Sequence, residues 1–380
     1  MLGIRASRAL ALGVAAISLA PLLAPPSAEA RPRSYRERDR DRSEQAVAAP
    51  ARQPDGPVNI VISIGSQRLW VYDKRGLLET SIVSTGTGGF PTPTGVFAIL
   101  DKEVTHYSNI YGGASMPFMQ RLTMSGVALH SGVTTGRPAS HGCIRLPHAF
   151  SIKLFRLTQL GARVVIAPNE PAPAEFEHPR LFVRKPVPPV AAEEVDTTRA
   201  TVVAAANAFD LQKGAAAAGV GKITAWRTEQ LRALPISVLV SKAEGKVFVR
   251  HGFRTVFAAP AVVRDPERPL GTHVFTAVEF KDDGMAMRWW AVSVPASAQV
   301  SANSRKVSRA SRSESEPMLP AASGPPSTPA EALDRIELPQ EARDRISEML
   351  LPGTSLIVSD QGNNREMREN GTTDFIVLTR

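Results

Sequence analysis

The 380-residue sequence predicts a mainly β fold, and three observations carry that prediction. Between residues 57 and 168, short runs rich in Val, Ile, Leu and Trp alternate with clusters of Gly, Pro and Ser, the pattern of strands punctuated by turns. A second set of such runs occupies residues 221–380. The two sets can be laid on one another at a nearly constant spacing, so the second reads as a degenerate repeat of the first.

Taken in order, residues 1–30 have the three parts of a secretory signal: Arg5 and Arg8, an apolar run from Ala9 to Leu23, and Ala28-Glu29-Ala30 as a small-x-small cleavage site. The apolar run falls short of the roughly 20 residues that a spanning helix needs, so no membrane span is expected after cleavage. Residues 31–56 mix Arg, Glu and Asp before Ala, Pro and Gln; they lack the apolar content to pack and read as a disordered charged linker.

Within residues 57–168, Val58–Ile64 and Arg68–Tyr72 read as a hairpin about Gly65-Ser66-Gln67. Leu78–Ser84 and Gly95–Leu100 follow as strands, with the Gly- and Pro-rich stretch 85–94 between them. One helix is predicted from Pro147 as first helical residue, through Phe150, Leu154 and Leu157, to Gly161 as its stop; Arg163–Ile166 returns as a strand. Residues 169–220 are a Pro- and Ala-rich linker whose segment 198–219 suits a helix.

In the second set, Ile236–Ser241 lies on Val58–Ser63 and Lys246–Val249 on Arg68–Val71, a shift of 178 residues. Pro269-Leu270-Gly271 lies on Pro93-Thr94-Gly95. After an insertion at 297–329, expected to be disordered, Ile336–Pro339 lies on Ile144–Pro147 and Leu356–Val358 on Val164–Ile166, now shifted by 192. Arg335 then takes the place of Cys143, with Leu333 and Asp334 in those of His141 and Gly142, so the second copy has no nucleophile. His251 and His273 read as structural, and Met285, Met287, Trp289 and Trp290 as core or repeat interface.

Cys143 is the single cysteine, which excludes an internal disulfide, and Arg31 after the cleavage site excludes a lipidated N-terminus. A lone thiol in an oxidising compartment is exposed to damage, which favours a thiol that is used. The formal charge of +9 is carried by scattered residues without an aromatic-interleaved basic stripe. That pattern argues against nucleic acid and suits an anionic envelope polymer.

The chemistry concentrates in His130-Ser131-Gly132 and, ten residues on, Ser140-His141-Gly142-Cys143-Ile144-Arg145-Leu146. A thiolate forms near neutral pH only beside a base or a positive field, and an imidazole supplies both. Gly142 lets backbone come close to a bound carbonyl, and the amides around Cys143 suit an oxyanion. Singly, Cys143 would pass for a small buried apolar residue and His130 for a core histidine; together they form a far more specific pattern.

This pattern resembles the L,D-transpeptidase catalytic domain of bacterial cell-wall enzymes, over roughly Val58 to Pro168. Ser84-Thr85-Gly86 and Thr92-Pro93-Thr94-Gly95-Val96-Phe97 support the likeness. The resemblance implies an L,D-transpeptidase-like β-sandwich with a cleft, no cofactor, an envelope or periplasmic location, and peptidoglycan stem peptides as partners. It further implies Cys143 as nucleophile, His130 as proton donor and acceptor, and the Ser131 carbonyl as the group orienting His130. His141, Gly142 and Cys143 would frame the oxyanion site, and Ser140, Arg145, Tyr111 and Met116 would meet substrate, the last two from a loop over the cleft. The interval between His130 and Ser140 is shorter than in many members, which bears on the acceptor. Rival readings are a carboxypeptidase with water as acceptor, a zinc hydrolase using His130, His141 and Cys143, and a non-catalytic envelope binding protein.

Overall fold

A computed structural model describes residues 52–185, 225–282, 284–295, 325–362, 364, 366 and 373–379. The expected signal, the charged linker up to residue 51, the Ala-rich segment 198–219 and most of the 297–329 insertion lie outside the described residues. Among the described residues no helix is long and apolar enough to cross a membrane.

The first half is built on β1 (Asn59–Ser63), β2 (Arg68–Asp73), β3 (Gly76–Ile82), β4 (Gly95–Ala98) and β9 (Arg163–Ala167). All five residues of β1 and of β9 are buried, which is why both read as continuous apolar runs rather than alternating ones. β1 and β2 pair as the expected hairpin, but the left-handed residue of its turn is Gln67 (φ 52°) rather than Gly65. The Gln67 amide stabilises that conformation by donating to Ile64 O and to Thr85 Oγ1. A second sheet holds β5 (Asp101–Glu103), β6 (Met119–Arg121), β7 (Ala128–Ser131) and β8 (Ile144–Leu146).

Helix α1 spans His148–Leu157 and buries Ala149, Ser151, Leu154 and Leu157. Pro147 is its N-cap rather than its first residue. The helix stops at Thr158, whose backbone N–H and hydroxyl both reach Leu154 O, and so ends three residues before the expected Gly161. Lys102 Nζ donates to Phe155 O and Thr158 O, satisfying carbonyls that the last turn leaves open.

The second half has β11 (Ser237–Ser241), β12 (Lys246–His251), β13 (Arg254–Pro260), β15 (Thr272–Phe280), β16 (Met287–Val294) and β18 (Ser355–Ser359) in one sheet, with β14 (Val262–Val263) and β17 (Ile336–Glu337) paired apart from it. The succession β4-β9-β1-β2-β3 in the first half matches β15-β18-β11-β12-β13 in the second, with the same parallel pair, β1 with β9 and β11 with β18. Asn59 faces Arg163 where Ser237 faces Ser355, which reproduces the shifts of 178 and 192 read from sequence. One alignment needs correction. Gly95 pairs with Ile166, and the counterpart of Ile166, Val358, pairs with His273, so Gly95 corresponds to His273 and not to Gly271. Both glycines have positive φ, a local likeness that does not fix register.

The halves also differ at one edge. β16 runs beside β15 for its whole length, whereas β6 turns away after Arg121 to join β7. The edge of β4 so vacated is covered by β19 (Val377–Leu378), with Val377 opposite Val96 and Leu378 opposite Gly95. The expected linker is partly structural as well. β10 (Ala174–Phe176) pairs with β16, and Leu181 and Phe182 are buried in the second core, because Phe and Leu there offer apolar surface that its Pro and Ala content obscures. Residues 52–55, assigned to the charged linker, pack through Arg52 and the Asp55 amide onto the buried Asp73 carboxylate.

The first core is shared between the halves, while the second half keeps a further cluster of its own. One apolar cluster runs from Ile60, Phe97, Leu129, Leu146 and Leu154 to Leu239, Val274, Val292 and Ile357. Between the sheets, Arg163 donates to Ser355 Oγ, Ser237 Oγ and Asp374 Oδ2, and Thr276 Oγ1 donates to Asn59 Oδ1. Met287, Trp289 and Trp290 are buried as read from sequence, whereas Met285 is exposed. His273 is buried with both ring nitrogens engaged, by Ser293 Oγ and Leu270 O.

Candidate active site

Strand register builds the site. β7 and β8 run parallel, with Leu129 opposite Ile144 and His130 opposite Arg145. Extending that register one residue back sets Cys143 beside Ala128. Antiparallel pairing of β6 with β7 adds Arg121 opposite Ala128. Side chains two apart share a face, so Met119, Arg121, Ala128, His130, Cys143 and Arg145 emerge together. Met116, Met119 and Ala128 form an apolar floor against which Cys143 packs.

The loop carrying Cys143 is braced from residues 84–94. Ser84 and Arg145 exchange backbone bonds, Ala139 and Ser140 amides donate to Thr85 O, and Thr87 N donates to Ser140 O. Thr92 Oγ1 accepts from Gly86 N and donates to Gly142 O, both at 2.8 Å. A Cβ on Gly86 would sit 2.0 Å from Phe90 O, so that approach requires glycine. Gly142 has φ 110°, a conformation that re-aims the chain just before Cys143.

His130 is buried, and its Nδ1 lies 2.8 Å from Ser131 O. That bond fixes the Nδ1–H tautomer and leaves Nε2 as the basic nitrogen. Burial holds the His130 pKa below the usual 6.5, aided by the charges of Arg145 and His106, against the opposing Ser131 bond. Burial pushes the Cys143 thiol up from 9.0, opposed by a bond from the Ala128 backbone and by Arg145 and Arg121. The thiol donates to Gly126 O at 3.5 Å.

Of the residues read as substrate contacts, Ser140 is instead buried and engaged within the loop, its hydroxyl accepting from Gly142 N and donating to Cys143 O. The Gly142 amide is thereby used as well and is not free for an oxyanion. His141 is exposed and sandwiched by Phe90 and Tyr111, ring centroids 4.5 and 5.2 Å away, and Tyr111 Oη donates to His141 O. Met116 lies in the apolar floor, and the loop 104–118 folds back through bonds from Met116 N to His106 O and Ser108 N to Ala114 O. Among the described residues no three His, Cys, Asp or Glu side chains converge to hold a metal ion.

Three contributors were missed in the sequence. Arg121 is readable only once β6 and β7 are paired. Gly126 ends the β6–β7 turn with φ 102°. Glu366, in the C-terminal segment, accepts from Met124 N at 2.7 Å and Ser125 N at 3.1 Å in that turn.

In the second half, Arg335 stands where Cys143 does in the first. It is buried and donates to the carbonyls of Arg264, Asp265, Arg268 and Pro269 and to Ser327 Oγ, at 2.6–3.1 Å. A saturated guanidinium fills the space, so no reactive group is presented there.

Residues 57–166 match the L,D-transpeptidase catalytic domain family. Over 129 residues, 33% of this chain is 26% identical to 75% of a Bacillus licheniformis protein provisionally named L,D-transpeptidase YkuD. Among solved structures, an L,D-transpeptidase from Stackebrandtia nassauensis is 27% identical over 33% of this chain and 65% of its own, with a TM-score of 0.28. L,D-transpeptidase 1 of Mycobacterium tuberculosis is 27% identical over 29% and 62%, with a TM-score of 0.26. A Mycobacterium smegmatis L,D-transpeptidase is 24% identical over 29% and 58%, with a TM-score of 0.28. The chain therefore spans about three-fifths of the length of these solved proteins.

Proposed function

We propose, with the L,D-transpeptidase match of residues 57–166 as premise, that this chain is a cysteine acyltransferase of the cell envelope acting on peptidoglycan stem tetrapeptides. The observation that carries the reading is the β6–β7–β8 register, which sets Cys143, His130, Arg121 and Arg145 on one face with His130 Nδ1 tied to Ser131 O.

With its pKa lowered, His130 is neutral near pH 7 and able to accept a proton, while the raised Cys143 pKa means that the resting nucleophile is a thiol. Transfer of the S–H proton to Nε2 therefore accompanies attack on the carbonyl of the third stem residue. The His141 and Cys143 amides are the donors assigned to the oxyanion, since Ser140 occupies that of Gly142. On collapse the C–N bond breaks, His130 returns the proton to the departing D-alanine amine, and a thioester remains on Cys143. An acceptor amine then attacks the thioester, giving its proton to His130 and restoring the thiol through that residue. Arg121 and Arg145 would receive substrate carboxylate. The assigned signal at residues 1–30 would deliver the chain to the envelope.

The test is mass spectrometry of purified muropeptide tetrapeptides incubated with the protein, with Cys143→Ala as control. Dimers joined between third-position residues, formed with loss of D-alanine, are expected. Shortened stems without dimers would assign a carboxypeptidase, and unchanged tetrapeptides would overturn the reading.

A further inference from the structure

The turn between β6 and β7 runs Thr123-Met124-Ser125-Gly126 and is closed by Gly126 N donating to Thr123 O. Thr123 Oγ1 also accepts from Val127 N at 2.9 Å. Two donors, the amides of Met124 and Ser125, project from this turn, and both end on one oxygen of Glu366. The next carbonyl along, that of Gly126, receives the Cys143 thiol. Ile110 of the loop over the cleft closes the other side, for a Cβ on Gly126 would lie 2.9 Å from its Cδ1.

Glu366 is itself held. Its amide donates to Asn364 Oδ1, and Asn364 Nδ2 donates to Ile376 O, the residue before β19. A continuous chain of bonds thus joins the strand that covers β4, through Asn364 and Glu366, to the turn that seats the nucleophile.

We infer that Glu366 is a positioning residue for Cys143, clamping the β6–β7 turn so that the Gly126 carbonyl faces the sulfur. This rests on Cys143 being the nucleophile of the proposed reaction. A carbonyl that accepts from the thiol favours its neutral form over the thiolate. Loosening the turn withdraws that acceptor and makes the thiolate easier to form. Of the ionisable groups on the elements about the site, Arg145 on β8 and Arg121 on β6 act on the sulfur and His130 on β7 shares its face, while His106 acts on His130 and Tyr111 contacts His141 of the loop that carries Cys143. None of them is altered by substitutions at residue 366.

The experiment is alkylation of Cys143, the single thiol, by iodoacetamide as a function of pH, on the whole chain and its Glu366→Ala and Glu366→Gln variants, with melting temperatures alongside. Glutamine keeps an oxygen for both amides without the charge. Glu366→Ala should move the midpoint of the profile down by about half a pH unit, equivalent to about threefold more thiolate below the midpoint, the worth of one modest hydrogen bond. Glu366→Gln should superpose on the parent. A Glu366→Ala midpoint that does not move, even with a lower melting temperature or a changed rate at the alkaline plateau, overturns the inference. So does a Glu366→Gln profile displaced like that of alanine, which would make the effect one of charge. Alkylation needs no peptide substrate, so failure here is distinguishable from failure of the transpeptidase reading.

Discussion

Replacing Asp374 with alanine should weaken the joint between the two halves by about 3–5 kcal/mol, the cost of leaving a buried ion without its partner. Its carboxylate accepts from Arg163 Nη2 at 2.8 Å and Ser237 Oγ at 3.0 Å, and the Arg163 and Asp374 side chains are only 4% and 3% exposed. Arg250 is buried nearby, donating to the Thr373 and Asp374 carbonyls and lying over the Phe375 ring at 4.6 Å. Of the two buried guanidinium groups only that of Arg163 bonds the carboxylate directly, while Arg250 feels its charge from the backbone beside it, and screening by water is too weak at this depth to replace it. A loss of this size is a large part of the 5–15 kcal/mol typical of folded proteins. Urea unfolding followed by Trp fluorescence would read it as a lower midpoint at unchanged slope. The pair Arg163→Met with Asp374→Leu should recover much of the loss, because removing both charges removes the desolvation cost. A Asp374→Ala loss below about 1 kcal/mol, or a double variant no better than the single, would refute the electrostatic account of the joint.

Cys143→Ala should abolish D-alanine release while leaving the melting temperature close to that of the parent, read by amino-acid analysis and calorimetry on one preparation. Arg335→Ala should keep turnover per folded molecule within about twofold but lower stability by about 2–4 kcal/mol, since buried carbonyls lose their donors; loss of turnover in fully folded material would show that the second half takes part in the chemistry. Stability should fall on acidification below about pH 6.5. Burial lowers both His130 and His273, so the unfolded chain takes up protons first, and stability held above the unfolded value is lost as pH drops through the folded ones. It should fall again above about pH 9, where the unfolded chain ionises Cys143 and the folded chain resists. A melting temperature flat from about pH 7.5 to 5 would contradict the histidine assignment.

The elements legible in the sequence are those whose signals are local. The β1–β2 hairpin, β9 and α1 announce themselves by unbroken apolar runs or helical spacing, and His130 and Cys143 by a motif. The shifts of 178 and 192 were readable because whole strands carried them. Gly271 misled because a glycine marks a backbone conformation, and conformations recur out of register. β19 and Glu366 were not legible. A two-residue strand has no periodicity, and a glutamate that accepts from backbone amides leaves no trace in the sequence around its partners. Arg121 was hidden for a related reason: its place on the face of Cys143 follows from pairing across a turn, not from spacing along the chain. Ser140 was legible as part of the site but not in its role, which depends on where one hydroxyl points.

Coverage of β4 by β19 sets an order of events for the growing polypeptide. Thr94 and Thr379, which bond to each other across that edge, are 285 residues apart. Until the distant strand has been made and has found its place, the N–H and C=O groups along β4 form an open edge able to recruit another chain. Contacts this far apart form late, and an intermediate that waits for them is prone to aggregate. A fragment stopping after residue 167, where β9 ends, would keep that open edge permanently. It would tend towards self-association even with Cys143, His130, Arg121 and Arg145 all present.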